Sequence, residues 1–408
     1  MPANQHLISV APEGSGSWLP QEQGFDTLLV HAGTQPDPVT GAILTPIYQT
    51  TTFVQESIEK YCTRGYSYTR TSNPTLKVLE ERLCALENAN FCTLYATGMA
   101  ATTTAISSFM NSGDHCIVTN CSYGGTNRCC RLFFTRLGME FTFVDMRDVK
   151  NVEAAIRPNT KLVISETPAN PTLTLIDIAE LSKLCKARNL IHMCDSTFAT
   201  PLIMRPLDLG ADVVFMSTTK FVDGHDMTLG GALLTRQKEL DDKMRLSQNI
   251  LGNAMSPNVA FLQLQTLKTL ALRVTRQSEN AQRVAEFLCT HPAVERVMYP
   301  GLPNFPQREL AMRQHLGGLH GGMLWFEVKG GSEAGRRLMN TVPRPWSLCE
   351  NLGATESIIT CPSVMTHANM TSEDRLKVGI TDGFVRVSCG IEDVNDLISA
   401  LKSALDAL

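Results

Sequence analysis

Among its thirteen cysteines the sequence has no Cys-x-x-Cys pair. An odd set without that spacing fits neither a secreted disulfide framework nor a zinc site. Reduced thiols in a cytoplasmic protein are the expectation. No apolar run reaches membrane-spanning length, which speaks against a spanning helix. The opening stretch MPANQHLISVAPEGSGSW lacks a basic region followed by an apolar one, so no secretory signal is expected. Neither sign of charge dominates: 36 Lys and Arg stand against 40 Asp and Glu, a formal net charge of −4. That balance gives no reason to expect a nucleic-acid or membrane partner. There is also no Gly-x-Gly-x-x-Gly, the usual signature of a dinucleotide-binding oxidoreductase. No internal repeat is found.

What is present is a long chain, 408 residues with 43% hydrophobic side chains, enough for a large core. The length suggests roughly two or three domains. Residues 1 to 24 are rich in Gly, Ser, Pro and Gln and read as a flexible tail. Residues 25 to 60 mix Pro, Thr and Gly with few periodic apolar positions. They cannot bury a core of their own, and the expectation is an arm packed on a neighbouring subunit. From residue 75 a regular pattern sets in. Helices are predicted over Leu76–Asn88, Gly98–Met110, Asn127–Leu137 and Ile178–Arg188. Short apolar strands are predicted over Cys92–Ala96, Cys116–Thr119, Phe141–Val144, Leu162–Ser165, Leu190–Cys194 and Val213–Met216. Such alternation argues for a mostly parallel sheet with helices on both faces. One long helical stretch follows, from 257 to Cys289. A smaller α+β region comes next, with strands at Met323–Val328 and Phe384–Ser388 and a closing helix from Val394. The expected division is tail and arm 1–60, large domain 61–262 and C-terminal domain 263–408.

The strongest local signal is Lys220, which follows the apolar run Val213–Met216 and the hydroxyls Ser217, Thr218 and Thr219. A lysine at the C-terminal edge of a parallel sheet sits where open α/β folds bind ligands. Hydroxyls just before it can bond a phosphate. Desolvation and a nearby cation would favour the neutral amine that forms an imine with an aldehyde. Taken alone, Lys220 reads better as one solvated surface lysine among many. Asp195 ends another strand and could pair with a protonated pyridine nitrogen, making the ring an electron sink; a turn acid or helix cap is as good a reading. The Thr97-Gly98-Met99 turn opens a helix whose free N–H groups suit a phosphate, or it is a plain capping turn. Tyr123, before Gly124 and Gly125, offers an aromatic face for stacking, or belongs to an ordinary glycine-rich turn.

Together these elements resemble the Cys/Met-metabolism family of pyridoxal 5′-phosphate (PLP) enzymes, over nearly the whole chain. The resemblance begins at Thr27–Gly33 and continues through Pro36-Asp37, Thr40–Ala42, Pro46–Phe53 and Tyr68–Thr75. It includes Glu166–Thr172, the Lys220 segment, Met365-Thr-His367 and Val385–Asp393. It implies the fold type I PLP-transferase architecture, with a mostly parallel seven-stranded sheet and a smaller C-terminal domain. It also implies roles. Lys220 would hold PLP and shuttle protons, Asp195 would pair the pyridine nitrogen, and Tyr123 would stack on the ring. Gly98, Met99, Ser217 and Thr219 would bind the phosphate, with Thr197 also contacting the cofactor. Tyr68 and Arg70 would reach that phosphate from a partner subunit, in a homotetramer built as a dimer of dimers. Arg386 would clamp the substrate carboxylate, with Asn170 beside it.

Within the family the chain most resembles the cystathionine γ-lyases. Pro300–Pro303 and Tyr123–Arg128 look like their versions. Glu350 matches a glutamate those enzymes carry near the distal end of the substrate, and Arg128 could pair a distal carboxylate. The resemblance therefore implies cleavage of a small sulfur amino acid, cystathionine. Methionine γ-lyases usually carry cysteine where Gly125 stands. Two positions depart from the family pattern. Asn351 stands where serine is usual, and the Gly224–Gly230 loop is one residue shorter than in most such lyases, as in some homoserine-ester sulfhydrylases. These leave β-elimination and γ-replacement open, and methionine cleavage stays an alternative although Gly125 weighs against methionine as main substrate. So does a catalytically silent binding protein on the same scaffold, although Lys220, Asp195 and Arg386 are all present.

Overall fold

The computed structural model describes residues 23–365, 372–377 and 379–408. Most of the expected tail and His367 of the C-terminal motif lie outside the described residues.

The large sheet has seven strands: β1 Phe91–Tyr95, β2 His115–Thr119, β3 Glu140–Val144, β4 Thr160–Glu166, β5 Ile191–Asp195, β6 Val213–Met216 and β7 Gly231–Thr235. Their spatial order is β1-β7-β6-β5-β4-β2-β3. Only β7 runs against its neighbours; all other pairings are parallel. The central strands β2, β4, β5 and β6 are buried along almost their whole length. Helices cover both faces, which is why these strands read as continuous apolar runs instead of alternating ones. The second sheet has five strands: β8 Val294–Met298, β9 Met323–Val328, β10 Ser347–Leu348, β11 Ile358–Thr360 and β12 Phe384–Ser388, in the order β10-β11-β12-β9-β8. The closing helix Val394–Asp406 packs on it, and Leu397, Leu401 and Leu405 share its core with Phe326, Val385 and Val387.

Local sequence explains most element ends. Asn73 caps the helix Pro74–Glu87 by accepting from the Thr75 N–H, with proline at the first turn. Thr97 caps Gly98–Phe109 by accepting from the Ala100 N–H at 2.9 Å. Two expectations are corrected. The stretch predicted as a helix over Asn127–Leu137 is instead a short α-helix Gly124–Arg128, a π turn Cys129–Phe133 and a 3₁₀ turn Phe134–Leu137. The helical stretch after 257 is broken by a 3₁₀ turn at Leu267–Thr269 into Pro257–Thr266 and Leu270–Thr290. At the break the Thr266 carbonyl accepts from Arg273 at 3.0 Å, and Arg273 also donates to the Phe221 carbonyl at 2.8 Å. The interruption thus anchors the backbone directly after Lys220.

The segment expected to be an arm divides in two. The helix Phe25–His31 buries Leu28 and Leu29 against this chain's own core, at about 1.5–3 kcal/mol for each side chain. Beyond it, Val39, Ile43, Val54 and Ile58 are each at least 80% exposed. None of the thirteen cysteines is in a disulfide. Among the described residues no helix is long and apolar enough to cross a membrane, and no cluster of metal-ligating side chains occurs.

Candidate active site

The C-terminal ends of the parallel strands converge on a cavity of about 430 Å³. Its wall includes Gly98, Met99, Tyr123, Arg128, Asn170, Asp195, Thr197, Ser217, Thr219, Lys220, Glu350, Asn351 and Arg386. All of these were singled out in the sequence. Each comes from a predictable place. Gly98 and Met99 open the helix after β1, Tyr123 follows β2, Asp195 ends β5, and Lys220 comes four residues after β6. Arg386 belongs to β12, where period-two alternation buries Val385 and Val387 in the small domain's core and turns Arg386 the other way, into the cavity.

Lys220 is largely buried, and burial with the nearby Arg386 guanidinium lowers its pKa to about 8, while Asp226 and Glu350 pull it up. Its Nζ donates to Asn351 Oδ1 at 2.5 Å. Arg386 donates to Asn170 Oδ1 at 2.9 Å, to the Asn351 carbonyl at 3.1 Å and to Thr360 Oγ1 at 3.3 Å. Burial lowers its pKa to about 10, so it remains a cation at neutral pH. The Tyr123 ring is 41% exposed. Gly125 lies so close to it that a Cβ there would sit 2.5 Å from the ring and 2.7 Å from the Met99 sulfur.

Asp195 is buried and accepts from the Thr197 N–H at 2.9 Å. No ion pair involves it among the described residues. Burial raises its pKa, and Glu166, in register with it on β4, is raised by burial and by the Asp195 charge. Glu166 is the functional neighbour that reading single motifs missed. Its two oxygens accept from the Tyr123 N–H at 2.6 Å and the Asn170 N–H at 2.8 Å. It thereby fixes the loops that carry both residues. An acid at the same strand end as Asp195 was the available signal.

Tyr68 and Arg70 are not part of the cavity wall. Both are exposed; the Arg70 guanidinium lies 5.5 Å from the Tyr68 ring centre, in the segment bridged at Thr52 and Tyr68.

A strand-end lysine, a buried carboxylate without a counter-cation and a helix N-terminus around one cavity are the parts of a PLP enzyme. The chain belongs to the Cys/Met metabolism PLP-dependent enzymes, whose family profile matches residues 26–406. It is 43% identical to an L-methionine gamma-lyase of Treponema denticola over 398 residues, covering 95% of this chain and 98% of that protein. It is 44% identical to a cystathionine gamma-synthase of Mycobacterium tuberculosis over 382 residues, covering 94% and 97%. Among solved structures it matches a cystathionine gamma-lyase from Lactobacillus plantarum complexed with L-serine. That match has a TM-score of 0.90 and 38% identity, covering 94% of this chain and 99% of that one. The chain is therefore a PLP-dependent enzyme of sulfur amino-acid metabolism. Relatives of different reaction stand at nearly equal identity, so overall likeness does not choose among their reactions.

The cavity fits the cofactor. The first-turn N–H groups of the helix Gly98–Phe109 suit a phosphate. Ser217 lies against Gly98, where a Cβ would meet its Oγ at 3.1 Å. The buried carboxylate of Asp195, which has no ion-pair partner among the described residues, suits a protonated ring nitrogen.

Proposed function

We propose that the enzyme cleaves the Cγ–S bond of L-cystathionine, giving L-cysteine, 2-oxobutanoate and ammonia. The observation that carries this reading is that two opposite charges, Glu350 and Arg128, join Arg386 on the cavity wall. A substrate whose far end is itself an ammonium and a carboxylate matches that pair. Methionine, with an apolar far end, leaves both unused. Gly125 adds to this. Its Cβ position is closed by Tyr123 and Met99, so the cysteine that methionine γ-lyases usually carry there would require Tyr123 to move.

When bound, PLP supplies an electron sink for charge developing on the substrate carbons. The chain's residues do the rest. Lys220 would hold the cofactor through its Nζ. Once free, its Nζ takes the proton from Cα and then manages the proton at Cβ that precedes loss of the sulfur. With a pKa of about 8, an appreciable share of Lys220 is neutral near neutral pH. Asp195 would pair the pyridine nitrogen, and Tyr123 would stack on the ring. Gly98, Met99, Ser217, Thr219 and Thr197 bind the phosphate side. Arg386 and Asn170 orient the α-carboxylate, Glu350 holds the distal ammonium, and Arg128 holds the distal carboxylate. Tyr68 and Arg70 complete the phosphate site of a neighbouring subunit in a dimer that pairs into a tetramer, and the exposed apolar residues of the arm support that assembly.

A second reading, γ-replacement on a homoserine ester, draws on the short Gly224–Gly230 loop. Comparing kcat/KM for cystathionine, for methionine, and for O-acetylhomoserine with sulfide separates these readings. Cystathionine is expected to lead, and a higher value for either rival contradicts the proposal.

A further inference from the structure

The two departures from the family pattern, Asn351 and the shortened loop, meet in space. Asn351 Nδ2 donates to Asp226 Oδ1, while Asn351 Oδ1 accepts from Lys220 Nζ at 2.5 Å. The main chain of Asn351 is fixed as well: its carbonyl accepts from Arg386, and Gly353 N–H donates to Ser388 Oγ at 2.8 Å. Asp226 is equally built in. The buried Asp223 carboxylate accepts from the N–H groups of His225 at 3.1 Å and Met227 at 3.0 Å, and from the Thr228 hydroxyl at 2.7 Å. The Gly224 carbonyl accepts from the Thr355 N–H at 3.0 Å. Asp226 itself has φ 56°, a left-handed conformation that aspartate tolerates better than most residues.

We propose that Asp226 is a positioning residue for Lys220, acting through Asn351 by fixing which end of the amide faces the lysine. A carboxylate only accepts, so it must meet the amide NH₂, which leaves Oδ1 for Lys220. The consequence falls on the lysine's lone pair. A neutral amine has two N–H bonds and one lone pair. Donating one N–H to Oδ1 leaves the lone pair free to take a substrate proton. That step breaks the C–H bond, leaves the electron pair on carbon and makes Lys220 an ammonium. A reversed amide would donate an N–H into the lone pair and hold Lys220 away from the reaction. Asn351 thus serves as an oriented acceptor where a hydroxyl could turn either way. The inference rests on the proposed role of Lys220 as the base.

Substituting Asp226→Lys replaces the acceptor with a donor and should reverse the amide; Asp226→Ala only releases it. The charged groups acting on Lys220 are Arg386, Asp226 and Glu350, so either change also lowers the lysine's pKa. The comparison is therefore made on the alkaline plateau, where Lys220 is neutral in every variant. Two quantities are measured. One is kcat with cystathionine in the holoenzyme. The other is the rate at which acetic anhydride labels Lys220 in the full-length chain stripped of cofactor, read by mass spectrometry. The second does not depend on the reaction assigned to the enzyme, so its outcome is distinct from that of the γ-cleavage proposal. Asp226→Lys is expected to lower both by about tenfold, the scale of one hydrogen bond at a reacting nitrogen. Asp226→Ala should lower them by roughly twofold, as for an amide free to take both orientations. In an Asn351→Ser background Asp226→Lys should change the plateau rates by less than about twofold. Equal effects of Asp226→Lys and Asp226→Ala, or an undiminished loss in the Asn351→Ser background, overturn the proposal.

Discussion

Replacing Glu350 by glutamine tests the basis on which the substrate was chosen. The change keeps the side chain's size and removes its charge. Glu350 lies at the mouth of the cavity and is exposed, so its bond to a distal ammonium is partly screened by water. The expected loss in kcat/KM for cystathionine is about tenfold, the lower end for a hydrogen bond between charged groups. Methionine has no distal ammonium, and its kcat/KM should change by less than about twofold on the same principle. A second effect comes through Lys220. Glu350 raises the lysine's pKa, which stands at about 8 because burial and Arg386 outweigh it. The active base is the neutral form, so the rate rises as pH passes through that pKa. Without the Glu350 charge, that rise should move to lower pH. The assay is kcat/KM for both amino acids, with kcat for cystathionine followed over a pH series spanning the limb, because Lys220 is free to titrate only once substrate is bound. Equal losses for both substrates, or a limb shifted to higher pH, would refute the assignment of Glu350.

Lys220→Ala should leave a folded chain that binds PLP without a covalent link; borohydride reduction followed by peptide mapping should then find no PLP-lysine adduct, and an adduct on another lysine contradicts the role of Lys220. Co-expressing Lys220→Ala with Arg70→Ala chains should restore roughly a quarter of wild-type activity, since random pairing builds one intact site per mixed dimer; no recovery would mean that Arg70 serves its own chain's site. Glu87 is fully buried, and burial raises its pKa well above the ordinary value. A raised folded-state pKa means that stability is intact below the unfolded-state pKa and falls as pH rises, by about 1.4 kcal/mol per pH unit. Glu87→Gln should therefore gain stability over the wild type in urea unfolding as pH rises above the ordinary carboxylate range, and a pH-independent difference would contradict this.

The large sheet was legible because its strands are buried on both faces. Val213–Met216 was read to the residue, and β5 to within one position. β7 escaped notice. Gly231–Thr235 begins with glycine, is buried along its whole length and runs antiparallel, so it offers no alternation. The π turn at Cys129–Phe133 was hidden inside an apolar pattern that fits a plain helix equally well. Lys220, Asp195 and Arg386 were each visible as chemistry at a strand. What joins them was not. The resemblance set Asn170 beside the carboxylate that Arg386 would clamp, but Asn351 and Asp226 lie 125 residues apart. No local pattern encodes a contact across such a separation. Glu166 was passed over for a related reason: its value lies in the two N–H groups it gathers, which only the folded loops bring together.

The central claim is γ-cleavage of cystathionine, and the keto acid released from that substrate tests it most directly. Purified enzyme supplied with PLP and L-cystathionine should release 2-oxobutanoate and cysteine in equal amounts, with pyruvate and homocysteine as minor products at most. Pyruvate and homocysteine as the main products would place the cleavage on the other side of the sulfur and contradict the account.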